Sequence, residues 1–193
     1  MSNTTGKKRK THDRIVAGAA RLFRDQGYSA SGVDAVMAAA GLTAGGFYSH
    51  FKSKDALFAE ALRLYFSGMA MPDEVGYAIP DGSSHPLENW VLRYASELHR
   101  DHPAVGCSIP SLAAEVARQG PEVRAVFTDA FLERVHDLAD KMGGRSRENV
   151  DTAIVAIAAA AGAVLLARAV NDPKLSARVL RSVRDTYHGQ KEE

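Results

Sequence analysis

The sequence predicts an all-α protein, and three observations carry that expectation. Apolar residues recur at helical spacing in nearly every stretch of the chain outside residues 69–86. No stretch alternates apolar and polar residues as a half-buried strand would. Pro110, Pro121 and Pro173 stand where apolar-periodic stretches begin, the helix position that tolerates a missing N–H.

Taken in order, Ile15, Ala19, Leu22 and Phe23 form one face of a helix from Thr11 to Gln26, which Gly27 stops. Ser31-Gly32-Val33-Asp34 fits a capping box for a second helix with Val33, Val36, Met37 and Ala40 inward, ending at Gly41. Thr43 caps a short third helix reaching about His50. Ser53 caps a fourth, with Asp55 in its first turn and Leu57, Ala61, Leu64 and Tyr65 inward to about Ser67. "MAMPDEVGYAIPDGSSHP", Met69 to Pro86, has no helical period and reads as a linker or mobile loop between a small head and a larger body. The body then reads as helices Leu87–Arg100, Pro110–Arg118, Pro121–Met142, Arg147–Val170 and Lys174–His188. The boundaries expected are a disordered basic tail over 1–10, a head over 11–52, and a helical ligand-binding and dimerisation body over 53–193.

Composition narrows the class. Hydrophobic residues make up 46% and charged residues 24%, the balance of a soluble globular chain. The apolar run Ala153–Val170 is mostly alanine and is interrupted by Arg168, so it is expected as a buried or interface helix, not a membrane span. "MSNTTGKKRK" lacks the apolar core of a secretory signal, so a cytoplasmic location is expected, with no membrane partner. A single cysteine, Cys107, excludes an internal disulfide and a cysteine-rich zinc site. No acid pair, nucleophile–base arrangement or phosphate-cradling glycine loop is visible. Neither enzyme activity, metal nor cofactor is therefore expected. His99-Arg100-Asp101-His102 reads as a solvated helix end, not a metal site. Net charge is +1, but residues 1–54 carry nine Lys/Arg against three acids, leaving an acidic remainder of −5. A basic head is what phosphate-backbone binding needs, although a disordered basic tail would give the same count.

In "AAAGLTAGGFYSHFKSKDALF", Ala38 to Phe58, Gly45 and Gly46 open the short third helix. Each costs about 1 kcal/mol against alanine in a helix interior. Two short helices joined by a glycine turn make a helix-turn-helix, whose second helix offers its N-terminal residues to base edges in the major groove. Glycines there let the backbone approach DNA. Phe47 and Phe51, four apart, turn inward and leave Tyr48 and His50 outward, with Lys52 and Lys54 for phosphates. On spacing alone, a loose loop with a half-buried Tyr48 explains the same residues.

Residues 11–58 resemble the DNA-binding head of the TetR/AcrR family of bacterial transcriptional regulators. The resemblance rests on Ile15, Ala19, Leu22-Phe23, Gly27-Tyr28, Val33, Val36, Ala40-Gly41 and "GLTAGGFYSHFKSKDALF". That last run is close to the family wording G-x-x-x-G-x-[IFL]-Y-x-[HY]-F-x-[SN]-K-[ED]-x-L. Met37-Ala38 and Ala44-Gly45-Gly46 depart from the usual residues, so few base contacts are expected. The resemblance implies a homodimeric repressor on double-stranded DNA with a palindromic operator, released by a small hydrophobic or electrophilic effector. It implies DNA contacts from Ser31, Thr43, Ala44, Gly45, Gly46, Tyr48, His50, Lys52 and Lys54. The last two helices resemble the family's dimer interface, giving Ala156, Ala160, Ala163 and Leu180 as interface residues. Candidates for a ligand pocket are Met69, Trp90, Tyr94, Leu98, Phe127 and Phe131, though apolar residues at helical spacing are more often plain core.

Cys107 precedes the Pro110 helix, whose N-terminus would favour a thiolate. "G-C" followed by "L-A-A-E-V-A" is similar to the branch of the family that holds the electrophile-responsive repressor NemR, which implies a possible sensor. A lone cysteine is more commonly a small buried hydrophobe. A thiol-based repressor and a helical ligand-binding protein without DNA affinity stay open as alternatives.

Overall fold

The structure is a computed structural model and describes residues 2–67, 85–103 and 106–188. Nine α-helices and one 3-10 helix occur among these residues, with no strand. They are α1 (Ser2–Gln26), α2 (Val33–Ala39), the 3-10 helix Ala44–Ser49, α3 (Lys54–Ser67), α4 (Pro86–Tyr94), α5 (Glu97–Asp101), α6 (Ser108–Val116), α7 (Pro121–Lys141), α8 (Arg147–Ala169) and α9 (Pro173–Tyr187). The expected linker falls almost wholly outside the described residues, as does Met69.

The chain separates into two compact units, Met1–Met69 with Ser111–Ala130 and Ala70–Pro110 with Phe131–Glu193. In the first, α1 packs on α2 and α3 around Ile15, Ala19, Phe23, Phe47, Leu57, Phe58 and Leu62, all buried, with Leu112, Val116 and Val123 closing the cluster. In the second, α8 packs on α9 and α4, burying Tyr94, Leu138, Ile157, Val164 and Leu180.

Several local expectations change. Residues 2–10 are not a disordered tail but the first turns of α1, with Lys7, Lys8, Arg9 and Lys10 exposed along them. Ser31 forms no capping box. Gly32 is the N-cap of α2, and the Ser31 hydroxyl donates to the Gly27 carbonyl at 2.7 Å. Leu64, placed inward by spacing, is exposed. The expected helix Leu87–Arg100 breaks in two at Ala95, because the Ser96 side chain caps a new helix by accepting the His99 N–H at 3.1 Å. Ser146 and Asp172 cap α8 and α9 in the same way.

The expected dimer residues Ala156, Ala160, Ala163 and Leu180 are buried inside their own unit, at 0 to 3% exposure. The small alanines and Leu180 serve close packing within the subunit, so they are unavailable to a partner. The exposed apolar residues of α8 are Ile154, Val155, Leu165 and Leu166, with Leu175 on α9. By length and composition α8 could cross a membrane, with a mean hydropathy of 2.2 over its most apolar window. Its alanine content and Arg168 point instead to a buried or interface helix. About half of that window, 44%, is buried in the packed unit, as for a core helix.

Candidate nucleic-acid interface and ligand site

The head is built to hold one short helix rigidly at the surface. After α2 the chain reverses at Gly41, whose φ of +66° suits glycine alone at low cost. The Leu42 N–H then donates to the Met37 carbonyl at 2.9 Å and the Gly41 N–H to Ala38 at 2.8 Å, which closes the helix end. Next comes the 3-10 helix, anchored from behind by Phe47 and Phe51, whose ring centroids lie 5.6 Å apart. His12 of α1 stacks on Phe51 at 4.5 Å and accepts or donates a 2.7 Å bond with Glu60 of α3. Tyr48 stands on the outer side at 76% exposure.

The two glycines have no partner inside the chain that demands them. A Cβ on Gly45 would meet nothing within 4 Å, and one on Gly46 would meet only the tip of Met37 at 3.6 Å, an ordinary contact. Neither has a positive φ. Packing within the described residues therefore leaves their helix cost unexplained.

Of the remaining expected DNA contacts, Thr43, Gly45 and Lys52 are exposed and Ala44, Gly46 and His50 half-buried. Thr43 is the N-cap residue in backbone geometry, but its side chain makes no cap bond and stays free to reach outward. His50 is held below the usual histidine range by desolvation and then by the charges of His12 and Lys8, which favours a neutral ring. Ser31 has no exposed surface and leaves the list of contacts. Lys54 differs too. Its ammonium donates to the Tyr28 carbonyl at 2.5 Å and sits 3.9 Å from the Tyr28 ring centroid, so it holds the head's own turn.

Sequence reading missed Glu115 of α6. Its carboxylate accepts the backbone N–H groups of Tyr28 at 2.6 Å and Ser29 at 2.8 Å, two donors of the turn that follows α1. Those bonds and the nearby Lys54 charge outweigh desolvation and hold it below the usual carboxylate range. Tyr28 also donates to Asp55 of α3. The turn from α1 to α2 is thus fixed by partners distant in sequence.

In the second unit Trp90 and Tyr94 stack at 4.7 Å, both buried. Phe131 of the same unit is half-buried, and Leu98 is exposed at 41%. Phe127 belongs to the first unit and packs edge-on against Phe66. Within the described residues the expected pocket aromatics thus pair inside their own units, Trp90 with Tyr94 and Phe127 with Phe66.

Cys107 is buried at 3% exposure, just before α6. Burial pushes its thiol above the usual range, and this outweighs the Tyr94 hydroxyl, the Ile109 N–H and the charges of Arg134 and Arg168, all pulling the other way. Desolvation thus disfavours the thiolate expected at this helix start. Nor does His99 supply a positive charge. Its Nδ1 lies 2.8 Å from the Tyr94 carbonyl and must donate to it, while Nε2 accepts the Cys107 N–H at 2.9 Å. An Nε2 that accepts cannot carry a proton, so the ring is neutral, and burial takes its pKa down to about 4. Arg168 completes the cluster by donating to the carbonyls of His99 and Arg100. No group of three or more metal-ligating side chains converges among the described residues.

A glycine-closed helix-turn-helix, its outer helix braced by buried aromatics and flanked by exposed basic residues, defines a DNA-binding transcriptional regulator with a helical body. Residues 15–61 match the bacterial regulatory proteins of the tetR family, and residues 85–184 match the LmrA/YxaF-like transcriptional regulator C-terminal domain. The chain belongs to the TetR family. It is 28% identical over 117 residues to the HTH-type transcriptional repressor DhaR of Mycobacterium sp. strain GP1, covering 61% of this chain and 58% of that protein. It is 39% identical over 59 residues to the HTH-type transcriptional regulator YerO of Bacillus subtilis, covering 31% of this chain and 20% of that one. The chain thus spans less than two thirds of the length of either relative. Both bear the names of transcriptional regulators. Among solved structures, a TetR regulator from Chloroflexus aurantiacus has a TM-score of 0.72 and 26% identity over 96% of this chain and 97% of that one. Reduced NemR of E. coli has a TM-score of 0.69 and 19% identity over 93% and 95%, which shows a shared fold.

Proposed function

We propose that this regulator is a cytoplasmic homodimeric repressor of a palindromic operator, released when a small molecule binds its body. The observation that carries the DNA half is the outer face of the 3-10 helix, with Tyr48 76% exposed and open space at Gly45. Thr43, Lys52 and the α1 bases Lys7 to Lys10 supply further exposed polar and positive groups in the same unit. Phosphate contacts of this kind position a protein without reading sequence, and base edges near Ala44 to Gly46 are then read by backbone approach and shape.

The apolar residues Ile154, Val155, Leu165 and Leu166 of α8, with Leu175 of α9, support pairing of two subunits through the outer face of these helices. Burial of Cys107 and its raised thiol pKa favour a reversible ligand over an electrophile as the signal.

Selection of DNA fragments by the purified protein tests this reading, followed by affinity measurement over a salt series. A palindromic site is expected, with affinity falling steeply as salt rises. Tyr48→Phe should weaken all sequences alike, by about two- to tenfold, the worth of one hydrogen bond. No selected palindrome, or binding indifferent to salt, overturns it.

A further inference from the structure

The second unit contains a cavity of about 170 Å³ lined by Trp90, Arg134, Asp137, Leu138, Asp140 and Lys141. Its volume equals roughly five to six water molecules in the liquid, enough for a small organic molecule. One side is apolar, from Trp90 and Leu138, both buried.

Arg134 is what this cavity does not explain by itself. It is a guanidinium only 9% exposed, and its Nε has no hydrogen-bond partner. The nearest carboxylate is Asp137, one turn along α7, at 3.7 Å from Nη1 and itself half exposed. That distance is an ion pair without a hydrogen bond. Asp140, on the same wall, is taken up by Arg145 through bonds of 2.8 to 3.1 Å. Neither acid therefore satisfies the buried cation. A buried guanidinium whose Nε–H has no acceptor is unfavourable, and a carboxylate that accepts that N–H together with the parallel Nη–H would relieve it.

We propose that this cavity is the effector subsite for a small organic carboxylate, with Arg134 binding the carboxylate and Trp90 and Leu138 covering the apolar body. The proposal rests on the reading that the body takes a small-molecule signal, and it adds the ligand's charge and size. It also changes the set of ligand residues, since of those expected from sequence only Trp90 belongs to it. A neutral hydrophobic effector would leave the Arg134 Nε–H without an acceptor and is disfavoured on that account.

Trp90 is the only tryptophan of the chain, so its fluorescence reports on this wall directly. Benzoate, titrated into the purified full-length protein, should change that fluorescence saturably. Benzamide, of the same shape but uncharged, should bind about tenfold or more weaker, the value of a hydrogen bond to a charged group. Arg134→Gln, checked for folding by circular dichroism, should abolish the preference for benzoate. A flat benzoate titration, equal affinity for benzamide, or an unchanged preference in Arg134→Gln overturns the proposal. If that variant does not fold, the ratio of the two ligands on the wild type decides alone. DNA binding without ligand is measured in parallel. A protein that binds its operator yet ignores benzoate refutes the carboxylate subsite and leaves the repressor intact, whereas saturable benzoate binding without DNA affinity refutes the repressor and leaves the subsite.

Discussion

His99 ties the stability of the second unit to pH, with a sign and size set by its bonds. In the folded chain its Nε2 accepts the Cys107 N–H and its pKa lies at about 4, against 6.5 for an ordinary histidine. Well above pH 6.5 both folded and unfolded forms are neutral and the group contributes almost no pH dependence. As pH falls from 6.5 towards 4, the unfolded histidine takes up a proton that the folded one refuses, so the unfolded state gains and stability is lost. With 1.36 kcal/mol per pKa unit, the loss from this residue is about 2 kcal/mol at pH 5. Other groups also titrate, so the measurement is a difference. Wild type and His99→Gln are unfolded by heat at equal concentration at pH 7 and pH 5, followed by circular dichroism. For a chain of this length about 2–4 °C corresponds to each kcal/mol. The wild type should therefore lose roughly 4–8 °C more than His99→Gln between the two pH values. Parallel losses in the two proteins would show that His99 is not held neutral, and would refute the assigned tautomer with it.

Gly106→Ala tests the same cluster by size, since its Cβ would fall 2.3 Å from His99 Cδ2 and 2.6 Å from Nε2. Overpacking and a strained buried hydrogen bond together should cost about 2–5 kcal/mol, read as a lowered Tm. Gly45→Leu should abolish operator binding in a gel-shift assay with Tm unchanged or raised, because its Cβ meets open space in the chain and leucine is the better helix former. Val155→Arg with Leu166→Arg should convert a dimer to monomer in sedimentation, because both residues are exposed in the single subunit and a buried charge pair would repel across a two-fold axis. Cys107 should resist N-ethylmaleimide in the native protein at pH 7 and react fully once urea unfolds it, by mass spectrometry, because the thiol is buried and its pKa raised.

The head was legible because its determinants are local. The inward Phe47 and Phe51, the outward Tyr48 and the turn glycine Gly41 lie within a dozen residues, where helical spacing and backbone conformation decide the outcome together. What binds that head to its supports was not legible. Glu115 meets Tyr28 across 87 residues and Lys54 meets it across 26, and no short-range pattern separates such residues from ordinary solvated charges. Ser31 was misread for the related reason that a serine before a helix can cap it or bond backward, here to Gly27.

The body shows two further limits, each with its own physical cause. In α8 alanine occurs on every side, so periodicity does not say which alanines face inward. The decision falls to the larger residues, and Ile157 and Val164 take the core while Val155, Leu165 and Leu166 face out. Spacing pointed to the alanines as interface because small residues permit close approach, but that property serves packing within the subunit equally well. In α7 the run Arg134 to Lys141 alternates charges as an exposed helix does, with Asp137, Asp140 and Lys141 exposed as that pattern predicts. Arg134 departs from it, and only the burial of its side chain reveals so. A guanidinium can lie under a surface because its long apolar stem packs while its donors seek acceptors. Among the described residues, the neighbouring carboxylates Asp137 and Asp140 are too distant for a hydrogen bond or already bonded. The buried arginine is thus a point where local sequence rules and the packed structure disagree, and a ligand's charge there would act on a guanidinium whose Nε–H has no acceptor.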